Sequence, residues 1–346
     1  MLLGEESPDR HVLISIVVPV HNEAGGVEPF LARTRPIVEA VTAPLAPAAT
    51  FEILFIDDGS TDDTLGELQA ARAADPRIRI VELSRNFGKD VALAAGLQHA
   101  AGSAVIPMDV DLQDPPEVIP QLVERWLAGY DVVGARRADR SSDSWLKRAT
   151  ARAFYRIFNR MAERPILADA GDFRLLSRAV VDELNRFPER ARFMKALYAW
   201  VGFRQCHVDY VREDRHSGQT KWRYWRLWNF AIDGITASTT APLRVWSYIG
   251  AGVAGLAFVY AAFLVGRTIL FGADVPGYAS IMVAVLALGG LNLLSLGVIG
   301  EYLGRVYTEV KGRPLYIVDQ TAGFEAKGKP EDADADLFEE PARRRA

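Results

Sequence analysis

The sequence predicts an α/β protein built on a mostly parallel sheet, followed by amphipathic segments and a hairpin of two membrane-crossing helices. Three observations carry that reading. Between Val12 and Gly134, apolar β-branched runs alternate with helical patterns. Polar residues gather just past the end of each run. Further on, the stretches 245–266 and 277–300 carry no charge. Continuous apolar strands alternating with helices indicate a parallel sheet covered on both faces.

In order, the strands read V-L-I-S-I-V-V-P-V (12–20), F-E-I-L-F-I-D-D (51–58), I-R-I-V-E-L (78–83), A-V-I-P-M-D (104–109) and D-V-V-G-A (131–135). Helical patterns fall at 27–43, 62–74, 90–101 and 116–128, the last opened by Pro115 and Pro116. The first strand ends in Pro19, His21, Asn22 and Glu23, and the second in Asp57, Asp58, Gly59 and Ser60. The third leads to Asn86, Gly88 and Lys89, the fourth to Asp109 and Asp111, and the fifth to Arg136 and Arg137. Any one of these clusters is explained by a helix cap. Five along one edge define a crevice at the carboxyl ends of the strands, where open α/β sheets bind ligands.

The run A-V-I-P-M-D-V-D-L-Q-D-P-P-E (104–117) concentrates the chemistry. Alternation along a strand lets Asp109 and Asp111 project from one side. Neighbouring carboxylates repel unless a cation lies between them or one takes a proton. Such oxygens suit a hard divalent ion that keeps some waters and binds substrate phosphates. A lone D-x-D is more often a polar loop, so the weight rests on its surroundings.

With 346 residues there is room for a second module. The formal net charge of −4 gives no indication of nucleic acid binding, and the single cysteine, Cys206, rules out an internal disulfide framework or a multi-cysteine zinc site. Residues 1–11 are polar and acidic, expected to be flexible, and lack the basic start of a signal peptide. Two decoys fall away. N-F-G-K-D lacks the upstream glycine and following Ser/Thr of a phosphate loop. G-A-G-V-A-G (250–255) lies inside an apolar stretch, where close helix packing is expected instead.

Residues 145–164 form an apolar stripe with Lys147, Arg148, Arg152, Arg156, Arg160 and Arg164 on the remainder, a basic amphipathic helix suited to an anionic membrane surface. Residues 221–244 carry Trp222, Tyr224, Trp225 and Trp228, rings that favour headgroup depth. The spans 245–266 and 277–300 each reach the roughly 20 residues needed to cross a bilayer. Of the basic residues, Lys221, Arg223, Arg226 and Arg244 precede them, Arg305, Lys311 and Arg313 follow, and the connecting turn holds Arg267 alone. By the positive-inside tendency the α/β region and the segment 301–320 face the cytoplasm. The charged, alanine-rich stretch 321–346 reads as a disordered tail.

The motifs S-I-V-V-P-V-H-N-E, I-D-D-G-S-T-D-D-T, N-F-G-K-D, D-V-D-L-Q-D-P-P-E, G-D-F-R-L-L and H-S-G-Q-T-K-W, in this order, resemble the family 2 glycosyltransferases. Within them the chain is similar to the polyprenyl-phosphate glycosyltransferases (dolichol-phosphate-mannose-synthase-like), and to the bacterial branch making bactoprenol-phosphate glucose. The resemblance runs from about Ser15 to Val318. It implies a GT-A (Rossmann-like) catalytic domain over residues 12–220 and a homo-oligomer in the cytoplasmic membrane. It also implies a divalent metal, Mg²⁺ or Mn²⁺, and inverting transfer of one hexose, glucose from UDP-glucose, to a polyprenyl (undecaprenyl) phosphate. Carried over residue by residue, Pro19, His21, Glu23, Ile56 and Asp58 would surround the nucleotide, with Lys89 and Val110 also in the donor site. Asp109, Asp111 and Gln113 would hold the metal. Arg136, Arg215 and Lys221 would meet phosphates, and Asp172 and Arg174 would lie by acceptor and sugar. Departures are His21, where many relatives have tyrosine, and Gly218–Trp222 in place of a Ser-Lys-Tyr type segment. Taken singly, Arg136, Arg174 and Arg215 are equally explained as surface ion-pair residues.

Two rivals remain at this level. A processive polysaccharide synthase would carry Q-x-x-R-W, and the nearest text, Gln121–Trp126, is one residue too long. A membrane scaffold that kept the fold would be expected to lose the charged site residues, which are present.

Overall fold

A computed structural model describes residues 13–45, 49–137, 159–160, 170–187, 189, 194–210, 240–271 and 277–324. The elements in chain order are β1 (Leu13–Val20), α1 (Val27–Thr42), β2 (Thr50–Asp57), α2 (Thr64–Ala74), β3 (Ile78–Leu83), α3 (Lys89–His99) and β4 (Ala104–Pro107). A single 3₁₀ turn, Pro116–Val118, then leads into α4 (Ile119–Leu127) and β5 (Val132–Arg137). After these come β6 (Ala170–Ser177), α5 (Arg178–Arg186), α6 (Met194–Trp200), β7 (Gln205–Tyr210), α7 (Ala241–Phe271), α8 (Tyr278–Val310) and β8 (Val318–Ala322).

The eight strands form one sheet in the order β7-β5-β6-β4-β1-β2-β3-β8. The predicted mostly parallel character holds around β4-β1-β2-β3 and again at β5-β7. Besides β8, antiparallel along β3, the difference is β6, which runs antiparallel between β4 and β5. Its reversed direction brings its first residues, including Asp172, to the edge where the parallel strands end.

Burial follows the strand pattern. Ile14, Ile16 and Val18 face one way into a core with α1 and α4, while Val17, Leu54 and Ile56 face the other towards α3 and α5. Side chains of opposite parity on β1 thus serve two layers, as an internal strand requires. Helix α3 is packed unusually close, through the buried run Ala92–Leu97. A Cβ placed on Gly96 would lie 2.2 Å from Val17 Cγ1 and 3.2 Å from Ile56 Cγ1. Only glycine lets the helix rest there. At the opposite edge from the crevice, buried Glu52 accepts bonds from Ser15 Oγ (2.5 Å) and Ala101 N (2.8 Å) and pairs with Arg79 (2.7 Å).

In the C-terminal half the two long helices extend past the spans read from the sequence, and one boundary changes. Helix α7 runs beyond 245–266 at both ends. Helix α8 continues past Gly300 through Glu301, Arg305 and Glu309. The expected tail boundary at 321 is also overturned, because Thr321 and Ala322 pair with Val81 and Ile80 in an antiparallel edge. There Tyr316 donates to Gln98 Oε1 (2.5 Å), and Phe324 stacks edge-on against His99.

The two long helices touch each other and expose large apolar residues on most sides, Leu256, Phe258, Phe263, Leu270 and Leu293 among them. Among the described residues, Ala287–Val310 is long and apolar enough to cross a membrane by length and composition, and Val245–Tyr260 is a shorter apolar stretch. Among the described residues, a Cβ on Gly250, Gly252 or Gly255 would meet nothing within 4 Å, so the close helix packing expected at G-A-G-V-A-G is not seen there. The basic segment 145–158, the aromatic segment 221–239 and residues 1–12 lie outside the described residues.

Candidate functional site

The loops after β1, β2 and β3 are laced into one rim. Asn22, in a left-handed conformation (φ 55°), accepts the Thr61 N–H on its side-chain oxygen (2.7 Å) while its own N–H donates to Ser60 Oγ (3.0 Å). The N–H groups of Glu23 and Gly25 donate to Thr64 Oγ1 (2.9 Å) and Glu67 Oε1 (2.7 Å). Within D-D-G-S-T-D-D, Asp62 accepts the Thr64 N–H at the start of α2 (3.1 Å) and the Ala24 N–H of the neighbouring loop (3.2 Å), while Asp63 at the N-cap makes no side-chain cap bond. Gly59 (φ 65°) is required: a Cβ there would lie 2.5 Å from the Arg85 carbonyl carbon and 2.7 Å from Asn86 N. That close approach joins the second loop to the third.

Asp58 completes the joint. Its carboxylate is buried at the end of β2 and accepts the N–H groups of Phe87 (2.7 Å) and Gly88 (2.9 Å). Desolvation pushes its pKa up, and the two backbone bonds offset part of that rise. Lys89, the next residue, begins α3. Its ammonium lies 2.6 Å from Asp109 Oδ1 and 3.4 Å from Asp172 Oδ2. Lys89 thereby joins the end of β4 to the start of β6 in one ionic cluster. Burial alone would lower the lysine pKa, but the surrounding carboxylates of Asp109, Asp172 and Asp114 raise it on balance. A small cleft here is lined by Pro19, Lys89, Asp109, Asp114, Asp172 and Phe173.

Strand β4 stops at Pro107, so strand alternation is not what disposes the acidic pair. A turn begins beyond it, with Leu112 at φ 56° and the Gln113 N–H donating to Asp111 Oδ1 (3.1 Å). Asp109 and Asp111 are half-buried and Gln113 is buried. Asp114, to which the sequence reading assigned no role, is buried and accepts the Tyr210 hydroxyl at the end of β7.

Other expected site residues stand as follows. Pro19 and Glu23 are half-buried at the rim, and His21 is exposed there. Ile56 and Val110 are buried, one in each of the two cores. The Arg174 side chain is buried, turns inward to Gly171 O (2.5 Å) and stacks 3.8 Å above the Tyr198 ring. Arg136 makes a two-bond fork to Asp209 across β5 and β7 (2.7 and 2.9 Å), both side chains about half exposed. Asp209 carries no helical or strand signal beyond its spacing, and nothing in the sequence marks it as this partner. Arg215 and Lys221 lie outside the described residues.

Comparison with known proteins gives a consistent result. Residues 15–184 match the family described as glycosyl transferase family 2, and residues 241–306 match the GtrB C-terminal hairpin. An uncharacterized glycosyltransferase of Synechocystis is 53% identical over 90% of this chain and 96% of its own. A prophage-derived bactoprenol glucosyl transferase of Shigella flexneri is 49% identical over 89% of this chain and 98% of its own. Among solved structures, a mannosyltransferase of Pyrobaculum calidifontis is similar with a TM-score of 0.43 and 18% identity, over 86% of this chain and 85% of that one.

Proposed function

The chain belongs to glycosyltransferase family 2, and on that premise we propose that it transfers a single glucose from a nucleotide diphosphate to a polyprenyl phosphate at the cytoplasmic face of a membrane. The observation that carries this reading is the ionic cluster of Lys89, Asp109 and Asp172 at the carboxyl edge of a GT-A sheet. That edge is followed in the same chain by two helices whose large apolar side chains are mostly exposed among the described residues. Exposed apolar surface on that scale fits lipid as its solvent.

The residues present fit a divalent cation by their donor chemistry. Asp109 and Asp111 offer hard oxygens and Gln113 an amide beside them. Among the described residues no group of three His, Cys, Asp or Glu forms a closed metal cage. Remaining ligand positions would fall to the donor's phosphates and to water. When bound, such a cation neutralises charge building on the departing diphosphate.

The chain's own groups account for the rest. In the reaction an acceptor phosphate oxygen bonds to the anomeric carbon as the bond to the diphosphate breaks, and the nucleotide leaves with that electron pair. One direct displacement inverts the anomeric centre. A phosphate monoester is largely ionised near neutral pH, its second ionisation lying near ~6, so no strong base is required. Positioning is required, because two anions must approach. Lys89 brings a positive charge to the point between Asp109 and Asp172. Asp172, fixed by that contact, serves as a positioning group on the acceptor side. Arg136 has the fork geometry to exchange Asp209 for a phosphate. Arg174, buried beneath Asp172, supports the strand from below.

The test is transfer by the purified protein, with divalent metal and undecaprenyl phosphate, from a panel of radiolabelled nucleotide sugars. Label entering the organic phase as a single-sugar lipid, with UDP-glucose the best donor, is the expected result. Polymer left in water would indicate a processive synthase, and no consumption of any donor would indicate a scaffold. Asp111→Asn, folded as judged by circular dichroism, should lose transfer by a factor of about 100 or more; unchanged turnover would place the metal elsewhere.

A further inference from the structure

One ammonium group here stands where the family reading needs a divalent ion. Lys89 Nζ contacts both oxygens of Asp109, at 2.6 and 2.7 Å, and reaches Asp172 at 3.4 Å. With Asp114 lining the same cleft, three carboxylates stand about the Lys89 ammonium. The lysine is not placed there by a wandering loop. It is the first residue of α3, whose seat on Val17 and Ile56 leaves no room for a Cβ at Gly96, and the preceding Gly88 N–H is held by buried Asp58. The backbone is fixed, while the side chain remains about half exposed and so can swing clear.

From this geometry we propose that Lys89 is an internal counter-ion that occupies Asp109 while the donor is absent and must release it before a divalent cation binds. The inference rests on the reading that Asp109 and Asp111 are that cation's ligands. Its consequence is a coupling. A cation arriving alone must displace the ammonium from its closest partner, Asp109, and leave it only the longer contact to Asp172 (3.4 Å) while adding two positive charges beside it. A cation arriving with a nucleoside diphosphate brings phosphate oxygens that give the ammonium a new partner. Cation and donor are therefore admitted together, and the site stays charge-compensated between turnovers.

The experiment uses the full chain in detergent and measures Mn²⁺ binding by electron paramagnetic resonance, with and without UDP, for wild type, K89M, K89R and D111N. Wild type should bind Mn²⁺ weakly alone and at least about tenfold more tightly with UDP. Lys89→Met removes the competing charge at nearly constant volume. It should tighten Mn²⁺ binding without UDP by roughly tenfold and shrink the UDP effect, the direction expected when one unit charge within a few ångströms is removed. Lys89→Arg, which keeps the charge, should stay near wild type. Lys89→Gln stands in if the methionine variant does not fold. Mn²⁺ binding by K89M or K89Q no tighter than wild type overturns the proposal, as does equal tightening in K89R. Separately, wild-type Mn²⁺ affinity in D111N with UDP would overturn the ligand reading itself, which distinguishes the two failures.

Discussion

Replacing Gly96 by alanine tests how α3, and with it Lys89, is seated. The added Cβ would come 2.2 Å from Val17 Cγ1, where non-bonded carbons prefer ~3.5–4.0 Å. Val17 is fully buried and β-branched, so its side chain has little freedom to yield. Overpacking of this kind costs about 1–3 kcal/mol, against about 1 kcal/mol that alanine gains over glycine inside a helix. The net effect of the single change is therefore small and ambiguous. A double-mutant cycle with Val17→Ala removes the ambiguity, because the helix-propensity gain is common to both arms. Truncating Val17 removes the colliding methyl, so the two changes should couple favourably by about 1–3 kcal/mol. For a domain of this size each kcal/mol moves the melting temperature by roughly 2–4 °C. The double variant should thus melt about 2–12 °C above the additive expectation, measured by intrinsic fluorescence in detergent. Additivity within about 0.5 kcal/mol would refute the idea that α3 rests directly on β1 at this point.

Three further outcomes are expected. Asp75 is held below the usual carboxylate range, first by the charged hydrogen bonds of Arg77 (2.9 Å), with Arg35 at 3.2 Å. A carboxyl whose folded pKa is depressed stabilises above its unfolded pKa, near ~3.9, and that stability is lost as pH falls through the folded value. The melting temperature of wild type should therefore drop more steeply below about pH 4 than that of Asp75→Asn, and parallel acid profiles would contradict this. Glu52→Ala strands Ser15, the Ala101 N–H and Arg79 together, and should cost roughly 2–3 kcal/mol, allowing for the partly exposed arginine, as read by thermal unfolding. Deleting Val318–Phe324 should speed hydrogen exchange at Ile80–Leu83 and promote self-association through the bared β3 edge.

The parallel half of the sheet was legible because its strands are unbroken apolar runs with polar ends. Ile16, Leu54 and Ile106 are buried as those runs require. Strand β6 escaped because A-G-D-F-R-L-L-S mixes charged and apolar residues. Its charges are satisfied inside the edge, Asp172 by Lys89 and Arg174 by Tyr198, so they give no strand signal in isolation. Strand β8 escaped for another reason. V-D-Q-T-A is polar and follows two long helices, so only its pairing with β3, remote in sequence, makes it a strand. At the site, residue types were readable while partners were not. Asp58, expected around the nucleotide, also brackets the loop that begins α3, and Arg174, expected by acceptor and sugar, bonds Gly171 O and stacks on Tyr198. Which groups meet there depends on which loop approaches which, through contacts such as Gly59 against Arg85 that no local pattern encodes.

The antiparallel closure by Val318–Ala322 makes the apolar helix pair an insertion within the globular unit, not an appendage to it. During synthesis the last strand cannot be laid down until both long helices have left the ribosome, so maturation of the sheet waits on their delivery. For anyone wishing to obtain the water-soluble half alone, cutting the gene before residue 241 would leave an open border. A short linker grafted from that point to residue 317 would respect how the unit is stitched.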